Sequence, residues 1–194
     1  MRPADTNHLT CTLDHPNPSE HDEDKTIKTG DCFSSPKSSD IENDACEKAI
    51  DNVYDEKTNG WIWDESAPAA LIVEFDKDHT VFVSKVGIVN SILRGRKNRL
   101  KKFKISFGVY LYPLPDIWKI PNNIRVHTKN RNIGSVDEKG YITMEDSSSV
   151  FITVSFDPID AWRFRLNVES AVESDSNVVI NEIYLYKGKL IILS

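Results

Sequence analysis

Past residue 70 the chain falls into short runs in which apolar and polar positions trade places. ALIVEF (70–75) leads into the turn DKDH, and TVFVSKVGIVN follows at 80–90. Side chains alternate across a strand. In the second run Val81, Val83, Lys85, Gly87 and Val89 therefore share one face, and Phe82, Ser84, Val86 and Ile88 the other. RLKKFKISFGVYL (99–111) sets Leu100, Lys102, Lys104 and Ser106 against Phe103, Ile105 and Phe107. IRVHT (124–128), GYITM (140–144), VFITVSF (150–156), AWRFRLNV (161–168) and VVINEIYLYKG (178–188) bring the total to about eight strands. Turns rich in Gly, Pro, Asp, Asn and Ser separate them, and no amphipathic run reaches helical length. Short strands at regular spacing predict an all-β fold, an antiparallel sandwich or barrel. Longer connections are expected at 54–69, 112–123 and 129–139. In a sandwich such loops gather at the ends, where binding sites are usually built.

Residues 1–40 break the pattern. They carry Pro3, Pro16, Pro18 and Pro36, the acidic cluster EHDED and few large apolar groups. Such a segment does not bury enough surface to offset its ordering entropy. The expected organisation is a mostly irregular, acidic, Pro/Ser-containing tail over 1–40 and a β-sandwich over 41–190. A short helical turn, capped by Ser39 or Asp40, opens the latter. Charge sharpens this division. The tail holds four basic and eight acidic residues, or −4 of the overall −6, which leaves the body near neutral. Within the body, RGRKNRLKKFK (94–104) concentrates Arg94, Arg96, Lys97, Arg99, Lys101, Lys102 and Lys104. That stretch suits either a Lys-rich edge strand that resists aggregation or a surface for sulfated glycan or anionic lipid. Only Phe103 is interleaved with it, so nucleic acid is not an expected partner.

The three cysteines, Cys11, Cys32 and Cys46, have no zinc spacing. A Cys11–Cys32 disulfide would leave Cys46 over, so the count does not decide between an oxidising and a reducing compartment. No apolar run approaches a membrane span, and MRPADTNHLT shows no signal-peptide core. Those features fit a cytosolic chain or a segment of a processed ectodomain.

Catalytic signatures are missing: there is no G-x-S-x-G, H-E-x-x-H, P-loop or G-x-G-x-x-G. Of five histidines only His127 falls on an expected strand. The carboxylate pairs Asp64/Glu65 and Asp157/Asp160 stand in turns, where Asp is favoured anyway. No enzyme activity is expected. The loop 51–59 offers Asp51, Asn52, Asp55, Thr58 and Asn59, a polar surface turn or an oxygen-rich site for a hard cation. Trp61, after Gly60, is expected in the core. Trp63 stands where it would stack on a sugar or dip into a membrane.

In order, these elements resemble a discoidin (coagulation factor 5/8 type C) domain of the galactose-binding-like superfamily. The first half matches at Ala49, Asp51, Thr58 and Trp61, then at Val73–Phe75, Val81–Ile88 and Lys102–Ser106. The second half matches at Phe156, Pro158, Trp162, Arg163, Arg165–Leu166, Glu182, Ile183, Tyr186 and Gly188, so the resemblance covers about 45–188. It departs where Asn52 replaces the family's Gly and where Cys46 has no C-terminal mate. The resemblance implies a jelly-roll sandwich and a structural Ca²⁺ held by the Ala49 carbonyl, Asp51, Asn52, Thr58 and Glu182. It also implies a non-catalytic recognition module for carbohydrate, at a cell surface or in adhesion. Trp63 would stack on the sugar, and Arg94, Arg96, Lys129 and Arg131 would bond its hydroxyls or anionic groups. The expected partner is a glycan or glycoprotein, in an extracellular or cell-surface setting. The alternatives are a cytoplasmic protein-interaction adaptor and a module for anionic phospholipid.

Overall fold

The computed structural model describes residues 26–27, 29–35, 46–51, 60–63, 69–75, 80–90, 98–111, 114–128, 131–146, 148–173 and 177–188. They form thirteen strands: β1 (Thr29–Ser35), β2 (Trp61–Trp63), β3 (Ala69–Phe75), β4 (Val81–Asn90), β5 (Leu100–Leu111), β6 (Leu114–Lys119), β7 (Arg125–Thr128), β8 (Arg131–Asn132), β9 (Gly134–Val136), β10 (Ile142–Met144), β11 (Phe151–Ala161), β12 (Arg163–Ala171) and β13 (Val178–Lys187). The first sheet runs β1-β3-β12-β5-β10-β9, with β6 on the far half of β5; the second runs β2-β13-β4-β11-β7-β8. The pairings are antiparallel. This is an antiparallel β-sandwich of two sheets, as the alternation predicts.

The inner faces carry what the alternation predicts. Phe103, Ile105 and Phe107 of β5 meet Phe164, Leu166 and Val168 of β12 in one apolar core. Trp61 lies in that core, with none of its surface exposed. The eight strands expected from alternation are β3, β4, β5, β7, β10, β11, β12 and β13.

Four readings change. The loops 54–69, 112–123 and 129–139 contain β2, β8 and β9, too short to show a period, and β6, whose LPDIWK does not alternate and holds a Pro. Segment 29–35, placed by composition in the irregular tail, is an edge strand on β3, with Cys32 opposite Val73. It is held by a disulfide from Cys32 to Cys46, Cα atoms 5.8 Å apart, and not by a Cys11–Cys32 bridge. Just before β1, Ile27 is buried and donates its N–H to the Leu185 carbonyl. The expected helical turn is a 3-10 turn over Cys46–Ala49.

Strict alternation also fails inside β4. Val83 is in the core, but so are Val86 and Ile88 of the other parity. The pairing of β4 with β11 slips between Ser155 and Ile159, and that with β13 between Tyr186 and Lys187. A bulge around Ser84 resets which parity faces inward. Leu100 likewise joins the core despite sharing parity with Lys102, next to a slip between Ser170 and Ala171.

Candidate functional site

The register brings the ends of many strands to one end of the sandwich. Trp63 closes β2 opposite Val178, where β13 begins. Asn90 closes β4 opposite Ile180, and Phe151 opens β11 opposite Val89. Leu100 opens β5 opposite Ala171, the end of β12. The connections 64–68, 91–99, 145–150 and 172–177 therefore leave from this end. The turn between β7 and β8 joins them, since Ser149 donates its hydroxyl to Thr128 Oγ1 at 3.2 Å.

Buried polar side chains tie these connections to the framework. The Asn90 amide is 1% exposed. Its Oδ1 accepts from the Leu100 N–H at 3.3 Å, and its Nδ2 donates to the Ser149 carbonyl at 3.4 Å. One side chain on β4 thus ties the start of β5 in the other sheet to the 145–150 connection. Asn98 donates to the Asn177 carbonyl at 2.8 Å, and Arg99 Nη1 donates to the Ser148 carbonyl. Lys101 Nζ donates to the Met144 carbonyl at 2.6 Å. A buried polar group without a partner costs about 1–3 kcal/mol. These bonds therefore hold the loop bases firmly.

The basic stretch is divided by this arrangement. β5 is an interior strand, flanked by β12 on one side and by β10 and β6 on the other, so the edge-protection reading does not apply. Arg99 is buried as a brace, and Lys102 and Lys104 lie on the outer face of the first sheet. Sequence periodicity could not show that Arg99 turns inward. Asn90 and Asn98 were missed for the same reason, since a lone Asn at a strand end reads as a turn former.

Of the residues expected to bind ligand, Arg131 is the one whose side chain is described. It is 74% exposed and pairs with Asp146 at 3.4 Å. Trp63 is placed only by its backbone. Arg94, Arg96 and Lys129 lie outside the described residues, though their segments belong to the loops leaving this end.

The expected metal ligands divide similarly. Ala49 is fully buried at the close of the 3-10 turn, which packs against β13. Asp51 is exposed, while Asn52 and Thr58 lie outside the described residues. Glu182 is fully buried on β13, opposite Val89. Gly60, at φ +32°, presses on the same strand: a Cβ there would stand 2.2 Å from the Ile180 carbonyl oxygen. Both ends of segment 51–60 are thus anchored on β13 near Glu182. The donors that are described, a carbonyl and carboxylates, are the kind Ca²⁺ takes. Among the described residues no three His, Cys, Asp or Glu side chains gather as a metal site.

The sandwich and its loop-bearing end define a discoidin-type, galactose-binding-like fold. Solved structures with this architecture include a family 32 carbohydrate-binding module of Clostridium perfringens NanJ, in complex with galactose. It is 17% identical, with a TM-score of 0.55 over 84% of this chain and 98% of that one. A second, a C. perfringens module in complex with GalNAc-β-1,3-galactose, is 14% identical at a TM-score of 0.52 over 80% and 94%. The family 32 module of Streptococcus pneumoniae EndoD is 13% identical at 0.54 over 84% and 99%. No family model and no curated protein sequence matches this chain.

Proposed function

We propose that the chain is a non-catalytic carbohydrate-binding module whose sugar site lies among the loops at the end bearing Trp63 and Arg131. The observation that carries this reading is the braced loop end, with bases fixed by Asn90, Asn98 and Arg99, on a fold shared with modules solved in complex with galactose and GalNAc-β-1,3-galactose. Rigid loop bases lower the ordering cost of binding. Trp63 supplies the stacking surface, and Arg94, Arg96, Lys129 and Arg131 supply hydrogen-bond donors. A structural Ca²⁺ belongs to the same reading. The Ala49 carbonyl, Asp51, Asn52, Thr58 and Glu182 would hold it, and it would fix the loop without taking part in chemistry. The Cys32–Cys46 disulfide favours an oxidising, extracellular setting.

Calorimetric titration with galactose and N-acetylgalactosamine-terminated oligosaccharides tests the proposal. Saturable binding that Trp63→Ala abolishes with the fold intact is the expected result. A folded protein with no affinity for any glycan on a broad array overturns it.

A further inference from the structure

We propose that the outer face of the first sheet is a second ligand site, built to take an acidic polysaccharide by its carboxylates. The inference rests on this face alone and not on the loop-end site.

The outer positions of β5 and β12 carry Lys102, Lys104, Arg163 and Arg165, against one carboxylate, Glu169. Glu74 of β3 flanks them opposite Arg163. Four cations on two adjacent strands stand out in a near-neutral body. Two of them, Lys104 and Arg165, line an open groove of about 320 Å³ together with Ser106, Tyr141, Asn167 and Glu169, walled by Trp118 and Ile120. Lys104 is the cross-strand partner of Asn167, and Arg165 that of Ser106. Lys104 and Arg165 are therefore diagonal neighbours, roughly 7–8 Å apart at their bases.

The wall is ordered in advance. The Arg163 guanidinium lies 4.3 Å from the ring centroids of both Trp118 and Trp162. Gly108 makes room for it, since a Cβ there would meet Arg163 Cγ at 2.4 Å. Trp162 in turn stacks on Tyr110 at 5.4 Å. Arg165 sits 5.6 Å from the Trp118 ring, and its Nε is buried with no hydrogen-bond partner among the described residues.

This chemistry selects the ligand. A guanidinium takes a carboxylate through two parallel bonds, and Lys104 adds a point charge beside it. Ser106, Asn167 and Glu169 offer both donors and acceptors, as the remaining hydroxyls of a sugar ring require. A polyphosphate chain lacks the neutral hydroxyls that Ser106, Asn167 and Glu169 are placed to bond. A nucleobase would need open aromatic faces, but Lys102 and Lys104 already lie 4.8 and 4.9 Å over Tyr141, and Arg163 covers Trp118. The face thus favours a uronic-acid polymer over a single-stranded nucleic acid.

The experiment titrates the intact chain with polygalacturonate, its fully methyl-esterified form and an oligothymidylate. Polygalacturonate is expected to bind, more weakly as salt rises. Esterification and the double variant Lys104→Gln/Arg165→Gln should each weaken it at least about tenfold, the loss of one or two charge-assisted bonds. Binding of neutral galactosides should not change in the double variant, which separates this face from the loop end. Absence of saturable polygalacturonate binding, equal binding of the ester, or an unaffected double variant overturns the proposal. So does an oligothymidylate that binds as tightly. If melting shows the double variant unfolded, Lys104→Gln alone carries the test: weaker binding supports the site and unchanged binding overturns it.

Discussion

Tyr141 stands at one rim of the sheet-face groove, and its acidity reports the local field. The Glu169 charge opposes ionisation, and the hydrogen bond between the two holds the proton. Slight burial and Asp137 add to both effects, so the phenol titrates above its ordinary value. A raised folded-state value means that the protonated form is favoured by the fold. That contribution is complete below the ordinary tyrosine range near 10 and is lost as pH climbs through the folded value. Ultraviolet difference titration, with Tyr141→Phe as the blank, should show a late-ionising tyrosine. Glu169→Gln should bring it back toward about 10; a midpoint that Glu169→Gln leaves in place contradicts the assignment. None of this pairing was legible in the sequence, since Tyr141 and Glu169 meet only through the β5–β10 and β5–β12 ladders. What the sequence did show at this scale was Trp61, because a bulky residue after a turn Gly has few places to go but the core.

At the scale of strands, β1 is the instructive case. Its residues TGDCFSS have little apolar content, and Phe33 is 49% exposed, so no period marks it as a strand. It pairs with β3 because Cys32 is buried opposite Val73 and bridged to Cys46, fourteen residues on. Closing a loop of that length contributes about 3 kcal/mol in the chain-entropy model. Cys46→Ser should therefore cost about 2–4 kcal/mol and lower the melting temperature by about 4–16 °C. Hydrogen exchange should show β1 amides losing protection before those of β12. Unchanged protection in β1 would mean that its ladder with β3 suffices without the bridge. The interior strands were readable because the period is two wherever one face is buried. The bulge around Ser84 was not, because nothing in VFVSKVGIVN distinguishes a slip from a regular run. Short strands such as β2 are set by partners distant in sequence, here β13, which local pattern does not encode.

Across the whole molecule, one end of the sandwich carries the loops of the candidate sugar site, and the outer face of the first sheet carries Lys102, Lys104, Arg163 and Arg165. A bound Ca²⁺ would act on the first of these. The 3-10 turn ending at Ala49 and Gly60 both pack on β13, the strand that carries the buried Glu182. A divalent cation held by the Glu182 carboxylate, the Ala49 carbonyl and Asp51 would tie β13 to the 3-10 turn. A ligand that binds only the folded state stabilises it by about 2.7 kcal/mol at a hundred times its dissociation constant. For a domain of this size, that corresponds to a rise of about 5–11 °C in melting temperature over a chelated sample. Glu182→Gln should remove most of the rise, whereas Lys104→Gln, on the other sheet's outer face, should leave it intact. Equal melting with Ca²⁺ and with chelator would leave segment 51–60 as a polar turn, held by Gly60 and the 3-10 turn alone. It would leave the braces at Asn90, Asn98 and Arg99 untouched, because those bonds run between protein groups and need no ion.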